Sequence, residues 1–428
     1  MHLKSMMVAV AATFAVAAQG AQSTGPVVLK AAYLFDSKSG QLTQGGTVVV
    51  EDDKIVSIGG AAPANASVID LGDATLLPGF IDAHTHLDGQ FEKDYYKAFY
   101  DAMLRFPVEQ AHTAALYAKR TVEAGFTTVR NVGASDFVDI GLRNAINKGV
   151  IPGPRMITAA HSIGSTGGHC DQSPFPPEVV KPLGPQQGVC NGADECRTAV
   201  RNQMKWGADV IKICASGGVL SESDPVDVPQ LTSEELAAIV SESHAWKRKV
   251  AAHSHGDLAA KLAVEAGVDS IEHASFLTEA TLRLMKQKGV YLVPTRMAVW
   301  WIDREAGTYP PVIAAKARAA AAAHGTMLKM AIKLGVPIAF GTDAMPCSTI
   351  SANSFALMVE HGMAPEAALL SGTREAARLL GIDTEVGTLE AGKLADIVAV
   401  RGNVLKDIAV TEQPLFVMKH GAVVVEKK

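Results

Sequence analysis

The residues most able to do chemistry sit at the ends of apolar runs. In PGFIDAHTHLDG (78–89), His84 and His86 are one residue apart. In a strand, side chains at i and i+2 share a face, so both rings would emerge on one side. That geometry suits two ligands of one metal ion and equally a half-buried polar edge, so the pair alone does not decide. The same texture recurs with Lys212 in DVIKICA, His253 and His255 in VAAHSHG, His273 in SIEHAS and Asp343 in IAFGTDA. Singly, each has an ordinary explanation: a hydrogen-bonded structural imidazole, or an aspartate capping a turn. Lys212, between two isoleucines, is the odd one, because a buried ammonium is costly unless paired or neutralised. Together, four imidazoles (His84, His86, His253, His273) and the Asp343 carboxylate suit Zn²⁺ or a similar first-row ion. A deprotonated Lys212 amine that takes up CO2 becomes a carbamate, an anionic two-oxygen ligand able to bridge two metals.

These residues need a scaffold that brings distant strand ends together. The middle of the chain alternates short β-runs with amphipathic stretches. The runs are LLPGFIDAHTH, TTVRNVG, RMITAAHSI, DVIKICASGG, KVAAHSHG, SIEHASF, GVYLVPT and PIAFGTDA. Between them lie EQAHTAALYAKRTVEAG, ADECRTAVRNQMKWG and TSEELAAIVSESHAWKRK, the last opened by a Thr232-Ser233 capping signal. Eight β-runs separated by helices are expected of an α/β protein of the (β/α)8 TIM-type barrel class. A doubly wound open sheet competes, but the glycine-rich fingerprint it would carry near its first strand is missing. In the barrel reading every polar strand end falls at the same mouth, where such folds place their chemistry.

Both ends of the chain read as strands separated by Gly- and Asp-rich turns, which predicts a small antiparallel β-domain. The expected organisation is a composite β-sandwich from 22–77 and 388–428 around a barrel over 78–387. Residues 1–21 read as a secretory signal peptide: Lys4, an apolar run from Met6 to about Ala18, then small residues. The run is shorter than the roughly 18–20 residues that span a bilayer. Export, with the oxidising periplasm as the expected destination, makes the five cysteines informative. A disulfide between two of Cys170, Cys190 and Cys196 is expected, with Cys214 and Cys347 as buried free thiols. With 428 residues, 48% hydrophobic and 19% charged, the chain is globular. Its net charge of −5, without clustered Lys and Arg, argues against nucleic acid as a partner. No membrane association is expected after signal cleavage.

The set HTH, the strand-four Lys212, HSHG, IEH and GTD resembles the metal-dependent amidohydrolase superfamily. Within it the chain is similar to the prolidase-like and imidazolonepropionase-like branch, which includes ochratoxin-degrading amidohydrolases. The likeness runs from about residue 27 to the end and includes LLPGFIDAHTHL, GPR (153–155), GGH (167–169) and REAARLLG…VGTLEAGKLADIV. The resemblance implies a site for two divalent ions, most often zinc. His84, His86 and Asp343 would hold the more buried ion, and His253 and His273 the other, with N6-carboxylated Lys212 between them. It implies Asp343 as the proton acceptor and donor, and His169 and His255 as substrate or oxyanion contacts. It also implies a homo-oligomer and hydrolysis of a small-molecule amide bearing a carboxylate, in the manner of a dipeptidase or carboxypeptidase. Candidate substrates are dipeptides, N-acyl amino acids and ochratoxin-like aryl amides of phenylalanine. The loop 217–230 is expected to shape the pocket. Two departures stand out: TVRN in place of TVRD puts Asn131 where the pattern has an acid, and GGHCD in place of GGHGD puts Cys170 after His169.

Three rival readings exist. A cyclic-amide hydrolase or deaminase of the imidazolonepropionase type is the nearest, but Lys212 argues against its usual single-metal site. A non-catalytic barrel would be expected to have lost ligands, and all six positions are filled. A periplasmic metal carrier does not explain a buried lysine at a strand end.

Overall fold

The computed structural model describes residues 25–60, 62–89, 94–171, 176, 178–179, 181–343 and 353–427. The segment read as a signal peptide and Cys347 lie outside the described residues.

Strands β1 (Val27–Asp36), β2 (Gln41–Glu51), β3 (Lys54–Ile58), β4 (Ser67–Asp70) and β5 (Ala74–Pro78) come from the first part of the chain. They share one sheet with the C-terminal strands Ile397–Arg401, Phe416–Lys419 and Ala422–Glu426. Their inward residues, among them Leu29, Val48, Ile55, Leu76, Ile397 and Phe416, form a single apolar cluster. Backbone bonds from Ile55 N to Lys393 O (2.9 Å) and from Ala395 N to Asp53 O (2.8 Å) draw the β3 edge onto the segment that leads into Ile397–Arg401. The sheet thereby wraps its core as a small β-sandwich. The sheet is mixed, not antiparallel as its turn-rich texture predicts, because β1 pairs in parallel with both β4 and β5. A ten-residue central strand can serve both partners, and β5 must leave β1 heading into the barrel.

The barrel follows at once. Strands β6 (Phe80–Thr85), β7 (Phe126–Asn131) and β8 (Arg155–Thr158) form one parallel group. Strands β9 (Val210–Cys214), β10 (Lys249–Ser254), β11 (Ser270–His273) and β12 (Tyr291–Val293) form another. Two sets of backbone bonds close the ring. Between β8 and β9, Asp209 N reaches Thr158 O (2.7 Å) and Cys214 N reaches Ile163 O (2.8 Å). On the other side Leu292 N bonds Pro337 O (2.8 Å), and Asp343 N bonds His84 O (2.8 Å). The eighth run, PIAFGTDA, is therefore an extended staple rather than a regular strand; it contacts β12 through a single bridge at Ile338 and then turns onto β6. Gly341 makes that crossing possible, since a Cβ there would lie 2.3 Å from Val293 Cγ1 and 2.9 Å from His84 Cβ.

Barrel strands β6, β7, β9 and β11 are buried at every position, so they read as continuous apolar runs with a few polar intrusions rather than as alternation. Helices such as Pro107–Glu123, Ala193–Trp206 and Ser233–Ala245 cover the outside. The last begins with the capping box foreseen at Thr232: its Oγ1 accepts from Glu235 N (3.2 Å) while Glu235 Oε2 accepts from Thr232 N (2.8 Å), worth about 1 kcal/mol. Among the described residues no helix is long and apolar enough to cross a membrane.

Cys190 pairs with Cys196, within the expected trio. Cys170 pairs with Cys214, which corrects the reading of Cys214 as a free thiol. The loop after β8 returns across the barrel mouth and brings the two Cα atoms to 5.9 Å, a long-range approach with no local signature in the apolar run around Cys214.

Candidate metal centre

Buried polar residues intrude where the barrel strands end. His84 lies at the end of β6 with His86 just beyond it, Lys212 in β9, His253 in β10 and His273 at the end of β11, with Asp343 on the closing staple. Side-chain donors of His84, His86 and Asp343 all fall within 4.8 Å of one another. Asp343 Oδ1 is 3.4 Å from His84 Nε2 and 3.6 Å from His86 Nε2. That is close to the roughly 3–3.5 Å separating ligand atoms that share a divalent ion at bonds near 2 Å. Lys212 Nζ approaches His84 Nε2 at 3.4 Å. His273 follows His84 with ring centroids 5.0 Å apart, and His253 follows His273 at 4.5 Å. His255 stacks on His273 at 5.0 Å, and His169 lies 4.3 Å from His253.

The hydrogen bonds on the far nitrogens decide which atoms are free. Glu272 is fully buried; burial pushes its carboxyl up, but the Arg130 guanidinium and the bond to His84 outweigh that and hold it near 2. As a carboxylate it only accepts, so His84 Nδ1–H donates to Glu272 Oε2 (2.7 Å) and the Nε2 lone pair faces Asp343. His86 Nδ1–H donates to the Gly133 carbonyl (3.0 Å), which again leaves Nε2 free. His253 is reversed: Nε2–H donates to the Gly217 carbonyl (3.1 Å), leaving Nδ1. His273 Nδ1 is engaged by Thr295 Oγ1 (2.7 Å). A metal-binding imidazole needs its other nitrogen so occupied. Burial also keeps three of the rings, His86, His253 and His273, neutral: it lowers His86 to about 4 and both His253 and His273 well below the usual range. Neutral rings with oriented lone pairs, an ionised aspartate and an amine that burial lowers to about 8 are a donor set that fits divalent cations.

Residues that no motif singled out hold this set in place. Arg130, fully buried in β7, donates from Nη2 to Glu272 Oε1 (2.8 Å), from Nη1 to Ser270 Oγ (3.1 Å) and from Nε to Ala83 O (2.6 Å). Asp82 accepts from His84 N (3.0 Å) and Thr342 N (3.1 Å), locking the staple against β6. The signal that could have found them is simple: a charge inside a strand with no exposed position must have a partner. Asn131 uses its amide both ways, accepting from Leu87 N (2.7 Å) and donating to the Gly133 carbonyl (3.1 Å) that His86 also engages. An ionised acid could only accept there. His273, Thr295 and Asp343 all have left-handed backbones (φ 70°, 45° and 52°), the kind of strain that clusters at functional sites.

The site opens into a cavity of about 670 Å³. Phe99, Val219, Leu220, Val299 and Ile302 form an apolar wall, with Val219 and Leu220 supplied by the 217–230 loop. Lys212 is the only cation among the described lining residues. His169 and His255 also line the cavity. His169 rests flat on Gly218, where a Cβ would lie 2.1 Å from its Cε1, and its Nδ1 meets Ser221 Oγ at 2.6 Å. His255 Nδ1 meets Ser275 Oγ at 2.9 Å.

The model of the Amidohydrolase family matches residues 75–424. This chain belongs to the amidohydrolase family. Amidohydrolases are typically metal-dependent, and His84, His86 and Asp343 are a group able to hold a metal ion here. Ochratoxinase from Aspergillus niger is 31% identical over 394 residues, 88% of this chain and 81% of that protein. The crystal structure of a Xaa-Pro dipeptidase with bound methionine in the active site matches with a TM-score of 0.89 and 37% identity over 93% of this chain and 99% of that one. Imidazolonepropionase from Hyphomonas neptunium is 26% identical over 389 residues, 83% of this chain and 87% of that protein. The chain is thus a hydrolase with the barrel and β-sandwich of this family.

Proposed function

We propose that this amidohydrolase cleaves the amide bond of small carboxylate-bearing substrates, dipeptides or N-acyl amino acids, in the manner of a dipeptidase or carboxypeptidase. The observation that carries the reading is the orientation of the imidazoles: His84, His86, His253 and His273 each have one nitrogen engaged in a hydrogen bond, and Asp343 lies against the free nitrogens of His84 and His86. His84, His86 and Asp343 would hold one ion, His253 and His273 a second, with carboxylated Lys212 between them. Such ions, when bound, lower the pKa of water and polarise the scissile carbonyl. Asp343 stays ionised, near 2, because the neighbouring His84 and His86 outweigh the burial that would raise it. It is thus able to accept the proton of the attacking water and return it to the leaving nitrogen. His169 or His255 would supply the oxyanion contact: the Nδ1 of each is paired with a serine hydroxyl, Ser221 and Ser275, and both rings line the cavity.

The apolar wall suits an aryl or aliphatic side chain, and the cavity is large enough for a substrate of that class. A substrate carboxylate would meet hydroxyls and imidazoles, among them Ser135, Ser162 and His161, rather than a guanidinium. The similarity to ochratoxinase supports including ochratoxin-like aryl amides of phenylalanine among the substrates tested. Two disulfides support export to an oxidising compartment. The test is metal analysis of the purified protein alongside hydrolysis of N-acyl amino acids, dipeptides and their C-terminal amides. Two ions per chain and preference for the free acids are expected. One ion per chain with turnover of cyclic amides instead would transfer the assignment to the imidazolonepropionase type.

A further inference from the structure

The Cys170–Cys214 disulfide joins two places that matter to the proposed chemistry. Cys170 directly follows His169, and Cys214 is two residues beyond Lys212 on β9. Both cysteines line the cavity. Gly164 makes room for the bond, since a Cβ there would lie 2.8 Å from Cys170 Cβ. Cys190 and Cys196, by contrast, are fully buried and are not among the described lining residues. Apart from the disulfide, His169 is held by Ser221 Oγ on its ring and by Gln230 Oε1 on its backbone N–H (2.8 Å), both from the 217–230 segment. The start of the same loop is bonded to β9 at Ile163, which donates to Lys212 O and accepts from Cys214 N (both 2.8 Å), and the disulfide adds a covalent tie beside His169 itself.

We propose that the Cys170–Cys214 disulfide is a redox-sensitive positioning clamp, holding His169 against β9 so that its ring stands over the substrate, and that its reduction by a dithiol lowers turnover reversibly. The proposal rests on the amide-hydrolase reading above. A thiolate of the dithiol attacks one sulfur of the pair, forms a mixed disulfide and expels the other cysteine as a thiolate. The second thiol of the reductant then closes on the mixed disulfide. The protein gains two electrons and two protons, and the reductant leaves as a cyclic disulfide. Cys214 is buried but Cys170 is half-buried at the cavity, so a small reductant would attack the Cys170 sulfur, whereas Cys190 and Cys196 are both fully buried.

The experiment treats the metal-loaded enzyme with dithiothreitol. It follows alkylation of each cysteine by mass spectrometry, together with metal content, steady-state kinetics and amide hydrogen exchange. Opening of Cys170–Cys214 is expected to lower kcat at least tenfold, to change KM less than twofold, and to be reversed by oxidised glutathione with metal retained. A loss confined to kcat is what an interaction made only in the transition state predicts. Exchange across residues 164–171 should rise while that across 249–255 does not. If both disulfides open together, a C170S/C214S variant carries the comparison, and its kcat must match the reduced enzyme rather than the oxidised one. Unchanged kcat with both cysteines alkylated, unchanged exchange at 164–171, or loss of activity that tracks loss of metal would each overturn the clamp. An oxidised enzyme that hydrolyses no amide defeats the functional reading instead, and the exchange measurement then decides the clamp alone.

Discussion

Replacing Glu272 by Gln tests the idea that buried charge behind the site, not the ligands alone, sets metal affinity. The substitution keeps shape and removes one charge. In the wild type Glu272 accepts from His84 Nδ1 at 2.7 Å, from Arg130 Nη2 at 2.8 Å and from Ser270 Oγ. An amide cannot answer all three, and if its NH2 turns to His84 it forces the imidazole proton onto Nε2, the atom facing Asp343. Loss of such an outer partner costs roughly 10–100-fold in metal affinity. Separately, Arg130 is left as a buried guanidinium without its counter-charge, which costs about 3–5 kcal/mol. The two effects separate by assay: chelator competition reports affinity, and urea unfolding of the metal-free protein reports stability. A further R130M change in the E272Q background should recover part of the stability, because no charge is then stranded, but none of the metal affinity. If E272Q binds metal as the wild type does, orientation of His84 through Glu272 is not what prepares the site, and the tautomer argument fails.

Asp343→Asn should reduce hydrolysis by about 10²–10⁴-fold while far-ultraviolet circular dichroism stays unchanged, since the general acid–base step is lost. Gly218→Ala drives a methyl into the His169 ring; overpacking of about 1–3 kcal/mol predicts a kcat lower by about 10–100-fold, read by steady-state kinetics. Lys212→Met should lower bound metal, measured by plasma emission, and free acetate or formate should restore part of it by standing in for the carbamate. In the metal-free wild type, burial depresses the Lys212 amine from 10.5 to about 8. The unfolded chain therefore binds more protons between those values, and stability rises with pH across that window by up to about 3 kcal/mol relative to K212M, measurable as a urea midpoint.

How much was legible follows from the range over which each feature acts. The ligand residues could be read because each closes its own apolar run, and the barrel reading brings all such ends to one mouth. The capping box at Thr232 and the helices around it are likewise local, set by contacts three and four residues apart. Asp82, Arg130 and Glu272 stood in the same quoted runs yet carried no assigned role, because their partners are remote: Glu272 is 188 residues from His84.

The sequence by itself determined which side chains could bind metal and which elements would carry them, since period and strand-end position are properties of short segments. Only the tertiary structure decided which imidazole nitrogen is free, that β1 runs parallel to β4 and β5, and that the eighth run staples β12 to β6. It also decided that Cys214 is bonded to Cys170 rather than free. Each depends on a partner brought from far along the chain by burial of the common core. Local pattern makes a residue polar or apolar, but only chain closure chooses what that residue meets.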